Sequence, residues 1–402
     1  MATVLLLLTY LAIILLIGLL TSIVSQKFKI PNILLLLFMG IVLGRMVYKG
    51  GPLIEFPQVF MTGISIMALV MIVFDSASRF KLKMVDYFSL HTLWLSLVFL
   101  IFKLIFLTAF TMLIFGVKSI FLALMFSALM SGTSPAVVLS MFKNVKNKVF
   151  EFLSLEALLN TPLIVLLPFI ILDLKTAFKD EILVSTFIEQ FVPLLQQFVV
   201  GIGSGVLIGL IMFKFMRRQY SIVLSPLAVI TSALLAYIIA ENLGGNGVLA
   251  VTAMGLLFGN VYVKQKFQLQ EFALVFSNSL EILVFVLIGI VIVIPGSLSF
   301  FLASILLFLL YLIIRFFSII FSLRGMDFTF KEKIFMSLNV QKGIAVAVVV
   351  FSLATLNIEG IEVILNLTLV FMLYSIVLSS VVLKFGKFFI KNIQEKKLVE
   401  GS

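Results

Sequence analysis

The chain has 402 residues, 62% of them hydrophobic and only 12% charged, with a formal net charge of +11. A soluble domain carries about 25% charged residues, so a soluble globular fold is excluded. With no cysteine and His91 as the one histidine, disulfides, thiolate metal sites and histidine zinc sites are excluded as well.

The apolar residues fall in runs near the length that crosses a bilayer as a helix, about 20 residues. Taken in chain order, hydropathy predicts an all-α polytopic membrane protein with spans at approximately 2–24, 30–47, 60–78, 90–115, 119–142, 150–172, 191–215, 221–243, 246–263, 273–294, 298–323, 334–356 and 360–383. The runs are continuous rather than alternating, which argues against a strand barrel. The first, MATVLLLLTYLAIILLIGLLTSIV, has no basic start and is too long for a signal peptide, so it reads as a span.

The connections test this parse. Odd-numbered connections and the tail carry 21 of the 29 Lys and Arg, even-numbered ones carry 5, and Lys103, Arg315 and Lys342 lie inside spans. Basic residues gather on the cytoplasmic side, which predicts an outside N-terminus and a cytoplasmic C-terminus, as in a prokaryotic cell membrane. The basic excess thus marks topology and lipid headgroups rather than a nucleic-acid partner. Residues 1–383 read as one transmembrane domain and 384–402 as a short basic cytoplasmic tail. The longest link, 174–190, mixes acids, lysines and apolar residues and is expected to form a surface helix.

Thirteen spans divide as six, one and six, which puts spans 5 and 12 at matching positions. Span 5 holds SGTSPAVV, with Gly132 and Pro135; span 12 holds NVQKGIAV, with Lys342 and Gly343. Paired interrupted helices point to inverted repeats, and breaks at mid-membrane free carbonyls and dipole ends to bind ions.

Six charges lie inside spans: Asp75, Glu156, Glu281, Lys103, Arg315 and Lys342. They sum to zero, and each needs a partner or water because a bare charge in hydrocarbon is costly. Buried pairs that merely fix helix packing are the plain reading of any one of them. Arg315 and Lys103 are expected to snorkel or pair locally. Glu156 carries more. Helical spacing puts Asn160 on its face, Thr161 lies beside it, and Pro162 and Pro168 loosen the helix. A carboxylate, an amide oxygen, a hydroxyl and free carbonyls suit a hard cation. The same carboxylate, partly desolvated, can exchange a proton, so one site can hold either.

Other features read as structural. GIGSGVLIG (201–209) sits within a span and lacks the strand–turn–helix setting of a nucleotide site. Its Gly205 and Gly209, like Gly40 with Gly44 and Gly255 with Gly259, suit close helix packing. The 43 phenylalanines are read as lipid-facing bulk, and His91 as a bystander near a cytoplasmic helix start. Nothing resembles an enzyme's nucleophile–histidine–acid set, and no cofactor is implied.

Several segments resemble, in order, those of the monovalent cation:proton antiporter superfamily, in its sodium/proton exchanger branch. They are IVFDSASRF, ALMSGTSPAVVLSMF, SLEALLNTPLIVLL, NGVLAVTAMGLLFGN, SLEILVFVLIG and LNVQKGIAVAV. The resemblance implies exchange of a monovalent cation, Na⁺ first and K⁺ or Li⁺ as alternatives, for protons. It implies a homodimer with a static dimerisation domain and a mobile core over about 90–172 and 298–383. Thr133 and Asn160 match ion-site positions, Glu156 matches the family glutamate, and Lys342 stands where a basic residue often pairs with it. Asp75 and Glu281 are supporting charges. Two motif aspartates are replaced, by Ser134 and Thr161. That leaves three readings: an antiporter with Glu156 as the titrating residue, a divergent member with another cargo, or a member that has lost exchange.

Overall fold

The structure, a computed structural model of the chain, describes residues 2–28, 31–48, 51–79, 87–133, 148–178, 184–218, 221–292, 294–356 and 358–390. Helices lie over every predicted span. In chain order they are α1 (Ala2–Phe28), α2 (Asn32–Arg45), α3 (Gln58–Ser78), α4 (Tyr87–Phe102), α5 (Thr108–Phe115), α6 (Ile120–Leu129) and α7 (Lys148–Phe178). The second part holds α8 (Val184–Arg218), α9 (Leu224–Asn242), α10 (Gly247–Asn260), α11 (Lys266–Val291) and α12 (Leu298–Ser322). It ends with α13 (Phe330–Leu338), α14 (Ile344–Ala354), α15 (Ile361–Lys384) and α16 (Gly386–Phe389). Among the described residues eight helices are long and apolar enough to cross a membrane, with four shorter apolar helices beside them. The extended backbone described is a two-residue antiparallel pair, Val47–Tyr48 with Gly51–Pro52.

Large apolar side chains such as Leu16, Leu113 and Phe317 are exposed. In water such a surface would drive association; against lipid tails it is the ordinary outer face. Association of the helices therefore relies on close packing. The predicted glycines supply it. A Cβ on Gly40 would sit 2.4 Å from the Val286 carbonyl of α11, and one on Gly205 2.0 Å from the Ala250 carbonyl of α10. Both neighbours are backbone, which cannot swing aside as a side chain can.

Helix contacts sort into two groups. The first, α1–α3 with α8–α11, is joined by the close α2–α11, α8–α10 and α3–α10 packings. The second, α4–α7 with α12–α15, is joined by the α6–α7, α4–α12, α4–α7 and α6–α15 packings. Contacts of α3 with α7 and α14, and of α11 with α14, connect the groups.

Two local features bear on the site. A π-helical turn, Lys103–Leu107, joins α4 to α5; such bulges often mark functional positions. Span 12 is broken: α13 stops at Leu338 and α14 begins at Ile344. The 174–190 link is not a separate surface helix as expected. α7 runs on to Phe178 and α8 begins at Val184, because residues 169–178 contain no Gly or Pro to stop a helix that is already nucleated. Pro162 and Pro168 do not divide α7 either.

Candidate functional site

Span 5 supplies the first half of the site. α6 ends at Leu129 and the chain leaves the helix over Met130–Thr133. A Cβ on Gly132 would meet the tip of the Ile164 side chain of α7, which would have to shift to admit it. The carbonyls of Met130 and Gly132 accept hydrogen bonds from the Lys342 ammonium, at 2.7 and 2.6 Å. Lys342 lies in the matching break of span 12, where its own N–H donates to Ser375 Oγ of α15 at 3.1 Å. A third acceptor, the Tyr311 hydroxyl of α12, lies 2.7 Å from Lys342 Nζ. The Lys103 ammonium, at the π turn, donates to the same Met130 carbonyl at 3.1 Å. It also sits 3.5 Å from the centroid of the Phe99 ring, one helical turn back. Beside this cluster the Thr133 hydroxyl is buried and has no hydrogen-bond partner among the described residues.

The second half centres on Glu156 of α7. Both its oxygens are bound by Arg315 of α12: Nη1 donates to Oε1, and Nη2 donates to Oε2 at 2.6 Å. Both side chains are fully buried. Asn160 shares the face, as its spacing required, and its amide donates to Glu156 Oε1 at 3.5 Å. The Arg315 guanidinium also stacks over Phe99, 4.6 Å from its centroid, so one aromatic face serves two cations.

Several expectations are corrected here. The partner of Glu156 is Arg315, not Lys342. A planar, weakly hydrated guanidinium matches both carboxylate oxygens at once, whereas an ammonium is a point donor better suited to separate carbonyls. Of the two outcomes expected for Arg315 and Lys103, snorkelling does not occur, since both have no exposure, and pairing does for Arg315. The zero charge sum does not hold locally. Asp75 is paired with Arg79, at 2.9 Å, near the end of α3, and Glu281 is a half-buried residue of α11 in the other helix group. Glu156 therefore stands among three buried cations, Arg315, Lys103 and Lys342. Thr161 lies in α7 with its side chain outside the described residues, as does the whole of Ser134.

The sequence reading passed over Tyr311 and Phe99. Both carried a signal. Tyr311 precedes Arg315, and Phe99 precedes Lys103, by four residues, which places each aromatic on the same helix face as a buried cation.

The description of the sodium/hydrogen exchanger transmembrane family matches residues 11–386. The chain belongs to the sodium/hydrogen exchanger family. It is accordingly a multi-pass integral membrane protein. Similar proteins include the Na(+)/H(+) antiporter NhaH of Halobacillus aidingensis, 31% identical over 268 residues, covering 60% of this chain and 61% of that protein. The K(+)/H(+) antiporter NhaP of Alkalimonas amylolytica is 24% identical over 347 residues, covering 80% and 56%. The low-affinity Na(+)/H(+) antiporter NhaS1 of Synechocystis is 30% identical over 156 residues. That match spans only 28% of its length and 38% of this chain. In fold, the chain is similar to the sodium proton antiporter MjNhaP1 of Methanocaldococcus jannaschii at pH 8. The TM-score is 0.72 and the identity 21%, over 96% of this chain and 97% of that one.

Proposed function

We propose that this family member exchanges a monovalent cation for protons, and that the exchange takes place at the carbonyls now held by Lys342. One observation carries the reading. The oxygens of Met130 and Gly132 that a dehydrated cation would need are occupied by a tethered ammonium, while the Thr133 hydroxyl beside them has no partner among the described residues. An alkali cation and an ammonium ask for the same neutral oxygens. In the proposed cycle the incoming cation takes the Met130 and Gly132 carbonyls and the Thr133 hydroxyl, with Asn160 near by. Lys342 gives its proton to water and withdraws as a neutral amine. One positive charge replaces another, so the buried charge stays constant and the exchange is one for one. When the cation leaves, Lys342 is protonated again and returns.

In this proposal Lys342 replaces Glu156 as the titrating group. A carboxylate held through both oxygens by a buried guanidinium cannot receive a cation without first breaking that pair, which is costly. Glu156 then acts as a fixed counter-charge that keeps Arg315 in place beside the lysines. The oxygens of Thr161 and Ser134 are further ligands in the same reading; Asp75 and Glu281 take no part in it. The group α4–α7 with α12–α15 carries the site across the membrane against α1–α3 with α8–α11. The latter group forms the homodimer contact, with the N-terminus outside. Support comes from family membership and from relatives named as Na(+)/H(+) and K(+)/H(+) antiporters.

The test is a pH-gradient assay in proteoliposomes holding the full chain. Na⁺, K⁺ and Li⁺ are added in turn, and dissipation of the gradient is read with a pH dye. Lys342→Met should abolish cation-driven proton movement while the protein stays monodisperse. Wild-type exchange in that variant defeats the lysine mechanism. Cation-independent solute uptake by the wild-type chain defeats the antiport reading altogether.

A further inference from the structure

A polar cavity of about 370 Å³ lies between the two helix groups at the face of the even-numbered connections. By the distribution of basic residues this is the outer face. Asp173, near the end of α7, and Ser352 of α14 reach it from one group. Glu241 at the end of α9, Asn246 at the start of α10 and Gln197 of α8 reach it from the other. Asp173 accepts a hydrogen bond from the Asn246 side chain and feels the charge of Glu241. One Glu241 oxygen accepts the Gly247 N–H at 2.8 Å, which fixes that carboxylate. No Lys, Arg or His lines the cavity among the described residues, so the two acids have no counter-charge within it. Independently of the acids, Ser352 lines the cavity and is only 6% exposed, and its buried hydroxyl has no hydrogen-bond partner among the described residues. Most buried hydroxyls have a partner, and a bound ion or water is one physical reason for an exception.

We propose that this cavity is a divalent-cation site of the Ca²⁺ or Mg²⁺ class, held by Asp173 and Ser352 from one helix group and Glu241 from the other. Hard divalent cations take carboxylate, hydroxyl and amide oxygens, and one such ion neutralises both carboxylates where a monovalent ion neutralises half. Two carboxylates with neutral oxygens on a face open to water suit a weak site, with Kd on the order of 10⁻⁴–10⁻³ M as in extracellular modules. The site is separate from the Lys342 cluster and uses none of its residues. Because its ligands come from both groups, an ion bound there ties the groups together. If the transport reading holds, it therefore slows any motion of one past the other. The binding claim itself does not depend on that reading.

The experiment uses the purified full chain in detergent, stripped with EDTA and titrated with Ca²⁺, and then Mg²⁺, by calorimetry, with Na⁺ as the background salt. Millimolar or tighter binding at one site per chain is expected, together with a higher unfolding temperature in Ca²⁺. Glu241→Gln keeps an acceptor for Gly247 N–H and should weaken binding by about tenfold or more. Asp173→Asn should do the same and serves if the first variant misfolds. Ser352→Ala should weaken binding several-fold. Glu359→Gln, in the other acidic cavity on this face, should bind as wild type. No divalent binding, binding that survives loss of both Asp173 and Glu241, an unaffected Ser352→Ala, or saturation by Na⁺ in place of Ca²⁺ would each overturn the assignment.

Discussion

Consider first the removal of Glu156 from its pair with Arg315. Neither side chain has any exposure, and the guanidinium binds both carboxylate oxygens. Glu156→Gln leaves a buried cation facing a neutral amide. Removing one partner of a buried pair costs about 3–5 kcal/mol, because the remaining charge is uncompensated. The retained amide oxygen and the Phe99 face put the expected loss near the lower end, about 3 kcal/mol. Arg315→Met should cost a similar amount, through the stranded carboxylate. The double variant Glu156→Gln with Arg315→Met strands neither charge, and replacing both members of a buried pair by uncharged residues of similar volume costs far less than removing one. The double-mutant cycle should thus show a coupling of about 3 kcal/mol or more. The assay is the unfolding midpoint in detergent for all four proteins, with exchange measured in parallel. If Glu156→Gln unfolds with the wild type, or the double variant loses the sum of the two single losses, the pair does not hold this site together. Exchange in the double variant tests the mechanism further: it should survive if Lys342 is the titrating group and vanish if Glu156 is.

Further expectations follow from neighbouring features. Thr133→Val removes an unpartnered buried hydroxyl, so stability should hold or rise by about 1 kcal/mol, while the apparent KM for the transported cation should rise several-fold in the proteoliposome assay. Gly205→Leu would drive a side chain into the Ala250 carbonyl, and overpacking against backbone should cost about 3 kcal/mol or more; loss of the monodisperse peak in size-exclusion chromatography would register it. Thr329 and Glu332 form a reciprocal capping box at the start of α13, and Thr329→Ala should lower stability by about 1 kcal/mol, read as a lower unfolding midpoint. Asp173, beyond the end of its predicted span, has its carboxyl pushed up from 3.8 to about 6 by burial and then by Glu241, against the pull of the Asn246 hydrogen bond. The folded chain therefore binds that proton more tightly than the unfolded one. Without divalent cations, stability should be greatest at the acid end and fall as the pH rises through about 4 to about 6, then level off. Asp173→Asn should remove that slope from a series of unfolding midpoints.

The helices, their order and the break in span 12 were legible in the sequence, because hydrocarbon imposes a local rule. Every backbone group must be satisfied within its own segment, so spans announce themselves as apolar runs of fixed length and breaks as Gly and Pro within them. The shared face of Glu156 and Asn160, and the close helix contacts at Gly40 and Gly205, were legible for the same reason: helical spacing and a missing side chain are short-range facts. The choice of partners was not. Arg315 lies 159 residues from Glu156, and Lys342 meets the Met130 carbonyl across 212. Nothing in the spacing along the chain ranks Arg315 above Lys342 as the mate of a distant carboxylate. That choice depends on how far each helix is rotated, how deep each side chain sits, and which donor geometry fits the acceptor it meets. A sum of charges over the spans misses it too, because attraction between charges depends on their separation. The Asp75–Arg79 pair, four residues apart at the end of α3, follows from local spacing alone; only the assembled helices left Glu156 among three cations.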